Sequence, residues 1–283
     1  VKIGVIGAGA WGTALANLLA DKGCDVALWA FEKEVCSDIL EFRENKVFLP
    51  GIRLSEKLTP SNDLNHVASA KDMLLLAVPS HVFRSVAIRL VHHPTEKTII
   101  VSATKGIENE THLTMSGILE QLLPPRLHGQ IAVLSGPSFA KEVARQIPTA
   151  VTVAAQMPEI ARQVQTTFAT AYFRVYTSYD VVGVELGGAV KNVMAIAAGI
   201  SDGLGLGYNT RAALITRGIA EIQRLAIRLG ANPQTLMGLA GIGDLVLTCT
   251  GRLSRNWTVG YKLGQGKKLE AILSQTRTVA EGV

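Results

Sequence analysis

The sequence predicts an α/β domain built on a parallel sheet, followed by an all-α domain. Three observations predict it. The chain opens on an apolar strand, residues 2–6, that runs straight into Gly7-Ala8-Gly9-Ala10-Trp11-Gly12. Short apolar runs then alternate with helical patterns as far as residue 180. Beyond that point no convincing strand returns. Continuous apolar strands alternating with helices indicate a parallel sheet covered on both faces.

The elements follow in order. Gly7, Gly9 and Gly12 fill the pattern G-x-G-x-x-G. Gly7 permits a tight turn, Gly9 lets a pyrophosphate approach the backbone, and Gly12 lets the next helix lie close to the strand. The helix expected over 13–22 aims its unpaired N–H groups and positive dipole end at that pyrophosphate. Alone the pattern is a weak signal; after a strand and before a helix it marks a Rossmann-like dinucleotide-binding domain. The second strand, 25–29, leads into Ala30-Phe31-Glu32-Lys33. An acid that would bind the ribose hydroxyls is displaced here and a lysine follows it. Phe31 is placed to lie against an adenine ring. Glu32 favours NAD and Lys33 tolerates the 2′-phosphate of NADP, or both simply begin an exposed helix. NAD against NADP stays open.

Further strands are expected at 73–78, 98–102, 131–134, 150–153 and 173–176. Helices are expected at 34–43, 82–91, 114–123, 139–145 and 159–168. Parallel strands deliver their following loops to one ligand-binding edge. Lys105, between Thr104 and Gly106, is suited to an anion there, or is a solvated loop lysine. Ser138 caps the helix 139–145 and marks an anion-friendly N-terminus. His81 sits at a helix start, where the dipole disfavours its protonated form.

The second half reads as helices over 181–200 and 209–229, the latter stopped by Gly230 and Asn232-Pro233. Shorter helices are expected over 245–248 and 256–263. The domains expected are 1–184, dinucleotide-binding, and 185–283, helical and substrate-binding, joined by the long helix itself. Lys191 stands inside that apolar helix, where a lysine is costly unless paired or functional. Gly187, Gly188 and Ala195 lie at i−4, i−3 and i+4. They leave either a clearing around the ammonium or a seam for helix packing with the lysine snorkelling outward. Two helix-interior glycines cost roughly 1 kcal/mol each relative to alanine, so one of those uses is expected. Asp244 and Thr248, four apart, share a helical face. Ser254 can cap the next helix, which leaves Arg255 beside its positive end, a conflict that a bound phosphate would resolve.

Bulk properties exclude other classes. The chain has 283 residues, 48% of them hydrophobic, yet its apolar runs fall short of the roughly 20 residues that cross a bilayer. No membrane span is expected. Three cysteines without a C-x-x-C fit a reducing, cytoplasmic setting with neither disulfide framework nor metal site. The opening residues lack a secretory pattern. The net charge of +5 is scattered and aromatics are only 5%, so an anionic small substrate is expected rather than nucleic acid.

With these residues on the page, the chain resembles the bacterial NAD(P)-dependent sn-glycerol-3-phosphate dehydrogenase family. The cofactor loop 7–15, Ala103-Thr104-Lys105-Gly106, the run 135–142, Leu186-Gly187-Gly188-Ala189-Val190-Lys191-Asn192, Gly243-Asp244-Leu245 and Ser254-Arg255-Asn256 match its signatures in order. The resemblance spans essentially the whole chain. It implies reversible hydride transfer between NAD(P)H and dihydroxyacetone phosphate, giving sn-glycerol 3-phosphate for glycerophospholipid synthesis, in a homodimer. It implies that Lys191 is the catalytic proton donor and acceptor; a nearby Lys105 and desolvation are then expected to lower its pKa. Lys105, Gly136, Ser138, Lys191, Asn192, Asp244, Thr248, Ser254, Arg255 and Asn256 would line the substrate. Gly7, Gly9, Ala10, Trp11, Gly12, Phe31, Lys105, Ala140, Arg255, Val279 and Glu281 would touch the cofactor. The family continues for several helices, so the chain is expected to be truncated at its C-terminus, as an initiator methionine is expected before Val1. Two alternatives remain at this point: a related β-hydroxyacid dehydrogenase with a carboxylate substrate, and a dinucleotide-sensing binding protein.

Overall fold

The computed structural model describes residues 1–275 and 279–283. They form two compact units: Val1–Leu134 with Ser138–Val181, and Ser135–Pro137 with Val182–Val283. The division falls at the start of the long helix, three residues before the expected boundary at 184.

The first unit is built on eight strands: β1 (Lys2–Ile6), β2 (Asp25–Trp29), β3 (Leu58–Ser61), β4 (Met73–Leu76), β5 (Ile99–Ser102), β6 (Ile131–Ser135), β7 (Thr149–Ala155) and β8 (Phe173–Ser178). They lie in the order β3-β2-β1-β4-β5-β6-β7-β8. The six described pairings are parallel. Alternation along each strand divides the core between the two faces. Ile3, Val5, Val26, Leu28 and Leu75 pack on one side with Leu15 and Leu19 of the first helix. Ile6, Ala27, Trp29, Leu74 and Leu76 pack on the other with Phe83 and Ile118.

Three local expectations change. The first helix runs Ala10–Asp21, so it begins inside the glycine motif rather than after it. β3 and the short helix Leu64–Ala68 were not expected from the sequence. β3 is four residues long and contains Pro60, which reads as a strand breaker, but it is an edge strand, where proline is tolerated. The helix is fixed by Asp63, whose side chain accepts from the N–H groups of Asn65 and His66.

The second unit is helical; beyond Ser178 no strand occurs among the described residues. Its main helices are Val181–Gly203, Gly207–Arg228, Asp244–Thr250 and Arg255–Gly264. Pro233–Leu236, a π-helical turn at Leu239–Gly243, and Leu269–Leu273 were not expected. Val181–Gly203 is long and apolar enough to cross a membrane, which corrects the count of uninterrupted apolar runs; 56% of its most apolar window is buried inside the protein. Its C-terminal half meets Arg255–Gly264 backbone to backbone. A Cβ at Gly199 would stand 2.2 Å from the Trp257 carbonyl oxygen, and one at Gly260 would stand 2.1 Å from that of Ile196.

Two outcomes follow. Gly260→Ala forces apart two helix backbones that no rotamer change can relieve, and should lower stability by about 1–3 kcal/mol in urea unfolding. In the first unit Arg84 donates from Nε and Nη2 to the two oxygens of Glu108, both at 2.7 Å, and Thr111 donates to the same carboxylate. Arg84 first, then Thr111, hold the Glu108 carboxyl down from 4.5 to about 2. A pKa depressed on folding contributes stability that is complete above the unfolded value and lost as pH falls through the folded one. The stability difference between the native chain and Glu108→Gln should therefore be constant above pH 4.5 and close as pH falls towards about 2.

Candidate functional site

In the first unit the glycine-rich loop has the geometry its residues require. Gly7 has φ of +114°, a region that favours glycine. A Cβ on Gly12 would lie 1.9 Å from the Gly7 carbonyl oxygen, so only glycine lets the helix come this close. A Cβ on Gly9 would meet nothing within 4 Å. Gly9 is also the N-cap of Ala10–Asp21 and brings no side chain to the first-turn N–H groups. The buried Trp11 Nε1 has no hydrogen-bond partner among the described residues. Open backbone, an uncapped helix start and an unpaired indole N–H fit a bound phosphate group.

The residues after β2 leave the cofactor preference open. Phe31 is 75% exposed and edge-on to Trp29. Glu32 is the N-cap of Lys33–Phe42 without a side-chain cap bond, and Lys33 is the first helical residue. They begin a helix, as the plainer sequence reading allowed. The loop after β5 carries half-buried Lys105, and the Thr104 hydroxyl anchors it by donating to the Val78 carbonyl at 2.7 Å. His81 is an exposed second residue of Ser80–Ala87.

Gly136, φ +144°, makes the turn after β6. The cap expected of Ser138 is corrected: the helix is Ala140–Ala144, and Phe139 is its N-cap. Ser138 stands one residue outside it.

Sequence reasoning missed Asn45. It is wholly buried and donates to the Ala8 carbonyl and to the Thr13 hydroxyl, both at 2.8 Å. It lies in a stretch without periodicity, so no local pattern marks it.

The second unit brings together Lys191 with Asp244 and Thr248, and Asn192 with Asn256. Lys191 is 6% exposed. Its Nζ lies 3.1 Å from Asp244 Oδ1 and donates to Thr248 Oγ1 at 2.5 Å. Thr248 in turn donates to the Asp244 backbone carbonyl at 2.6 Å. A carboxylate this close favours the ammonium over the amine. The sequence reading weighed only burial and a second lysine, and missed Asp244 as the direct partner.

Of the two uses expected for the glycines beside Lys191, Gly187 takes the packing seam and not the clearing. A Cβ there would lie 2.4 Å from the Ala240 carbonyl oxygen, so that glycine serves close packing. The lysine nevertheless stays buried rather than snorkelling outward.

Next to it, Asn256 Nδ2 donates to Asn192 Oδ1 at 2.9 Å, and Asn256 Oδ1 accepts from the Gly282 N–H at 3.0 Å. Ser254 caps Arg255–Gly264 by accepting from the Trp257 N–H at 3.1 Å. Arg255 is the first residue of that helix and keeps solvent contact. The protein around its guanidinium pushes its pKa below the usual arginine value, and the Glu281 carboxylate opposes this. It remains charged at neutral pH. Val279 and Glu281 lie on the stretch 279–283, whose Gly282 packs on the Asn192 backbone. Burial pushes the neighbouring Cys249 thiol up to about 12. Among the described residues no cluster of His, Cys, Asp or Glu could hold a metal ion.

A buried, paired ammonium can stabilise and protonate a developing oxyanion, and a cation at a helix N-terminus can hold a phosphate.

Comparison with known proteins agrees with this chemistry. Residues 2–161 match the family model described as NAD-dependent glycerol-3-phosphate dehydrogenase N-terminus, and residues 180–283 match that of the C-terminus. The glycerol-3-phosphate dehydrogenase (NAD(P)+) of Syntrophobacter fumaroxidans is 57% identical over 281 residues, which cover 99% of this chain and 83% of that one. Its counterpart from Geobacter metallireducens is 58% identical over 282 residues, covering 100% and 84%. The crystal structure of glycerol-3-phosphate dehydrogenase from Coxiella burnetii superposes with a TM-score of 0.93 at 41% identity, covering 99% and 85%.

Breaking the Lys191 pair offers a direct check. Asp244→Leu leaves a buried ammonium without its carboxylate and should cost about 3–5 kcal/mol in urea unfolding, with Asp244→Asn costing less. An unfolding midpoint unchanged in Asp244→Leu would show that Lys191 is held by something else.

Proposed function

The chain belongs to the NAD-dependent glycerol-3-phosphate dehydrogenase family, and from that premise we propose how its residues carry the reaction. It is an NAD(P)-dependent oxidoreductase that acts on a CH–OH group, interconverting dihydroxyacetone phosphate and sn-glycerol 3-phosphate. Family membership sets aside the hydroxyacid and sensor alternatives.

The observation that carries the residue assignments is the buried Lys191 ammonium, held at 3.1 Å from Asp244 and hydrogen-bonded to Thr248. When the substrate carbonyl is reduced, negative charge develops on its oxygen. Lys191 stabilises that charge and delivers the proton. In the reverse direction it takes the proton back. Asp244 and Thr248 hold the ammonium in one place, so little reorganisation is needed at the moment of reaction. Asn192 and Asn256 hold each other by their side-chain amides and orient the reacting end. Arg255, with Ser254 at the same helix start, binds the phosphate, and that remote binding energy positions the carbon that reacts. Lys105, Gly136 and Ser138 complete the substrate contacts.

When bound, the reduced nicotinamide supplies the hydride. Gly7, Gly9, Ala10, Trp11 and Gly12 would hold its phosphates. Phe31 would meet the adenine, with Lys105, Ala140, Arg255, Val279 and Glu281 as further contacts. Assembly as a homodimer, location in the cytoplasm and supply of glycerophospholipid synthesis belong to the same proposal.

The test follows reduced-nicotinamide absorbance with dihydroxyacetone phosphate and each of NADH and NADPH in turn. Lys191→Ala should lose roughly 10²–10⁴ in turnover, the usual worth of a positioned acid, while dinucleotide binding survives. Turnover close to the native rate in that variant would remove Lys191 from the mechanism.

A further inference from the structure

Asn45 belongs to no helix or strand, yet its side chain is wholly buried. Both amide protons are spent where the glycine-rich loop meets the first helix: one goes to the Ala8 carbonyl of the loop and one to Thr13 Oγ1 of the helix, each at 2.8 Å. Its Oδ1 accepts from the Phe48 N–H at 2.9 Å. The Thr13 hydroxyl passes its own proton to the same Ala8 carbonyl at 3.1 Å. Two side chains from different segments therefore converge on one backbone oxygen. Asn17 ties the same segment down from the helix, accepting from the Ser55 N–H at 2.7 Å.

Peptide geometry makes this convergence functional. In a planar trans peptide the C=O of one residue and the N–H of the next point in opposite directions. Holding the Ala8 oxygen inward turns the Gly9 N–H the other way. Gly9 is also where added carbon meets nothing within 4 Å. We infer that Asn45 is a positioning residue for the dinucleotide: with Thr13 it locks the Ala8–Gly9 peptide so that the Gly9 N–H faces the ligand's phosphates. The inference rests on the dinucleotide reading above.

The test titrates the protein with the preferred reduced dinucleotide by fluorescence, and separately with adenosine, which carries no phosphate. Asn45→Ala should weaken dinucleotide binding about tenfold, the worth of one or two hydrogen bonds. Asn45→Asp should weaken it further, because a carboxylate cannot donate to the Ala8 oxygen and adds negative charge near the phosphates. Thr13→Val should follow Asn45→Ala, and Thr13→Ser, which keeps the hydroxyl, should bind as the native chain does. Adenosine binding should not change, and the loss should fall on KM for the dinucleotide rather than on kcat. Should Asn45→Ala fail to fold, the nearly isosteric Asn45→Asp and Thr13→Val decide the matter. Dinucleotide affinity within about twofold of native in the folded variants, or equal weakening towards adenosine, overturns the inference. A native chain that binds no dinucleotide overturns the underlying reading as well.

Discussion

A charged amine taken out of water must meet an opposite charge, and much of the second unit is arranged so that Lys191 does. The arrangement starts one turn away. Gly187 lacks a side chain, so the backbone at Ala240 and Gly241 can lie directly against the long helix. Gly241 is itself packed on the Leu236 carbonyl, which leaves no slack in that turn. Three residues later the chain begins the helix Asp244–Thr250, and its first residue is the carboxylate that the ammonium needs. Thr248, one turn further, supplies the second contact. Glycine, carboxylate and hydroxyl thus form one solution to a single solvation problem. The same solution holds a charged amine in a dry setting, where its field acts strongly on any neighbouring oxygen.

What could be read from the sequence follows from the range of the interactions involved. The opening strand, the glycine motif, the alternation of strand and helix, and the long helices after residue 180 are local patterns, and they were legible. The shared face of Asp244 and Thr248 was legible for the same reason, since i and i+4 suffice. Gly187 could be read only as a clearing or a packing seam, because the choice depends on a turn more than 50 positions away in the chain. Asn45 was invisible because its partners, Ala8 and Thr13, lie over 30 residues upstream. Ser138 shows a subtler failure. A serine before a helical pattern is a good cap signal, but the helix begins one residue later than that signal implies.

The two units solve packing differently. The first relies on apolar side chains filling both faces of a parallel sheet. The second relies on backbone contact, with Gly199, Gly203, Gly260 and Gly264 letting two helices touch along their length. Close backbones leave little volume for side chains, and polar groups take up part of the remainder. Asp202 shows this, accepting from both Arg211 and the Trp257 indole at 2.8 Å. Cys249 is held in such surroundings too, and its suppressed ionisation makes it a poor nucleophile beside Lys191.

Pro60 carries a consequence at the border of the sheet. The Ser61 carbonyl accepts from the Ala30 N–H just past the end of β2, so residues 58 and 60 turn their backbone groups to the opposite side. The Leu58 N–H is spent on the Ser55 carbonyl, and the Leu58 carbonyl is taken by the Arg43 guanidinium at 2.9 Å. Pro60 has no N–H to offer. An incoming chain seeking to extend the ladder finds almost nothing to bond with. At this edge of the sheet, the residue that reads as a strand breaker also withholds a donor from any strand that would add to β3.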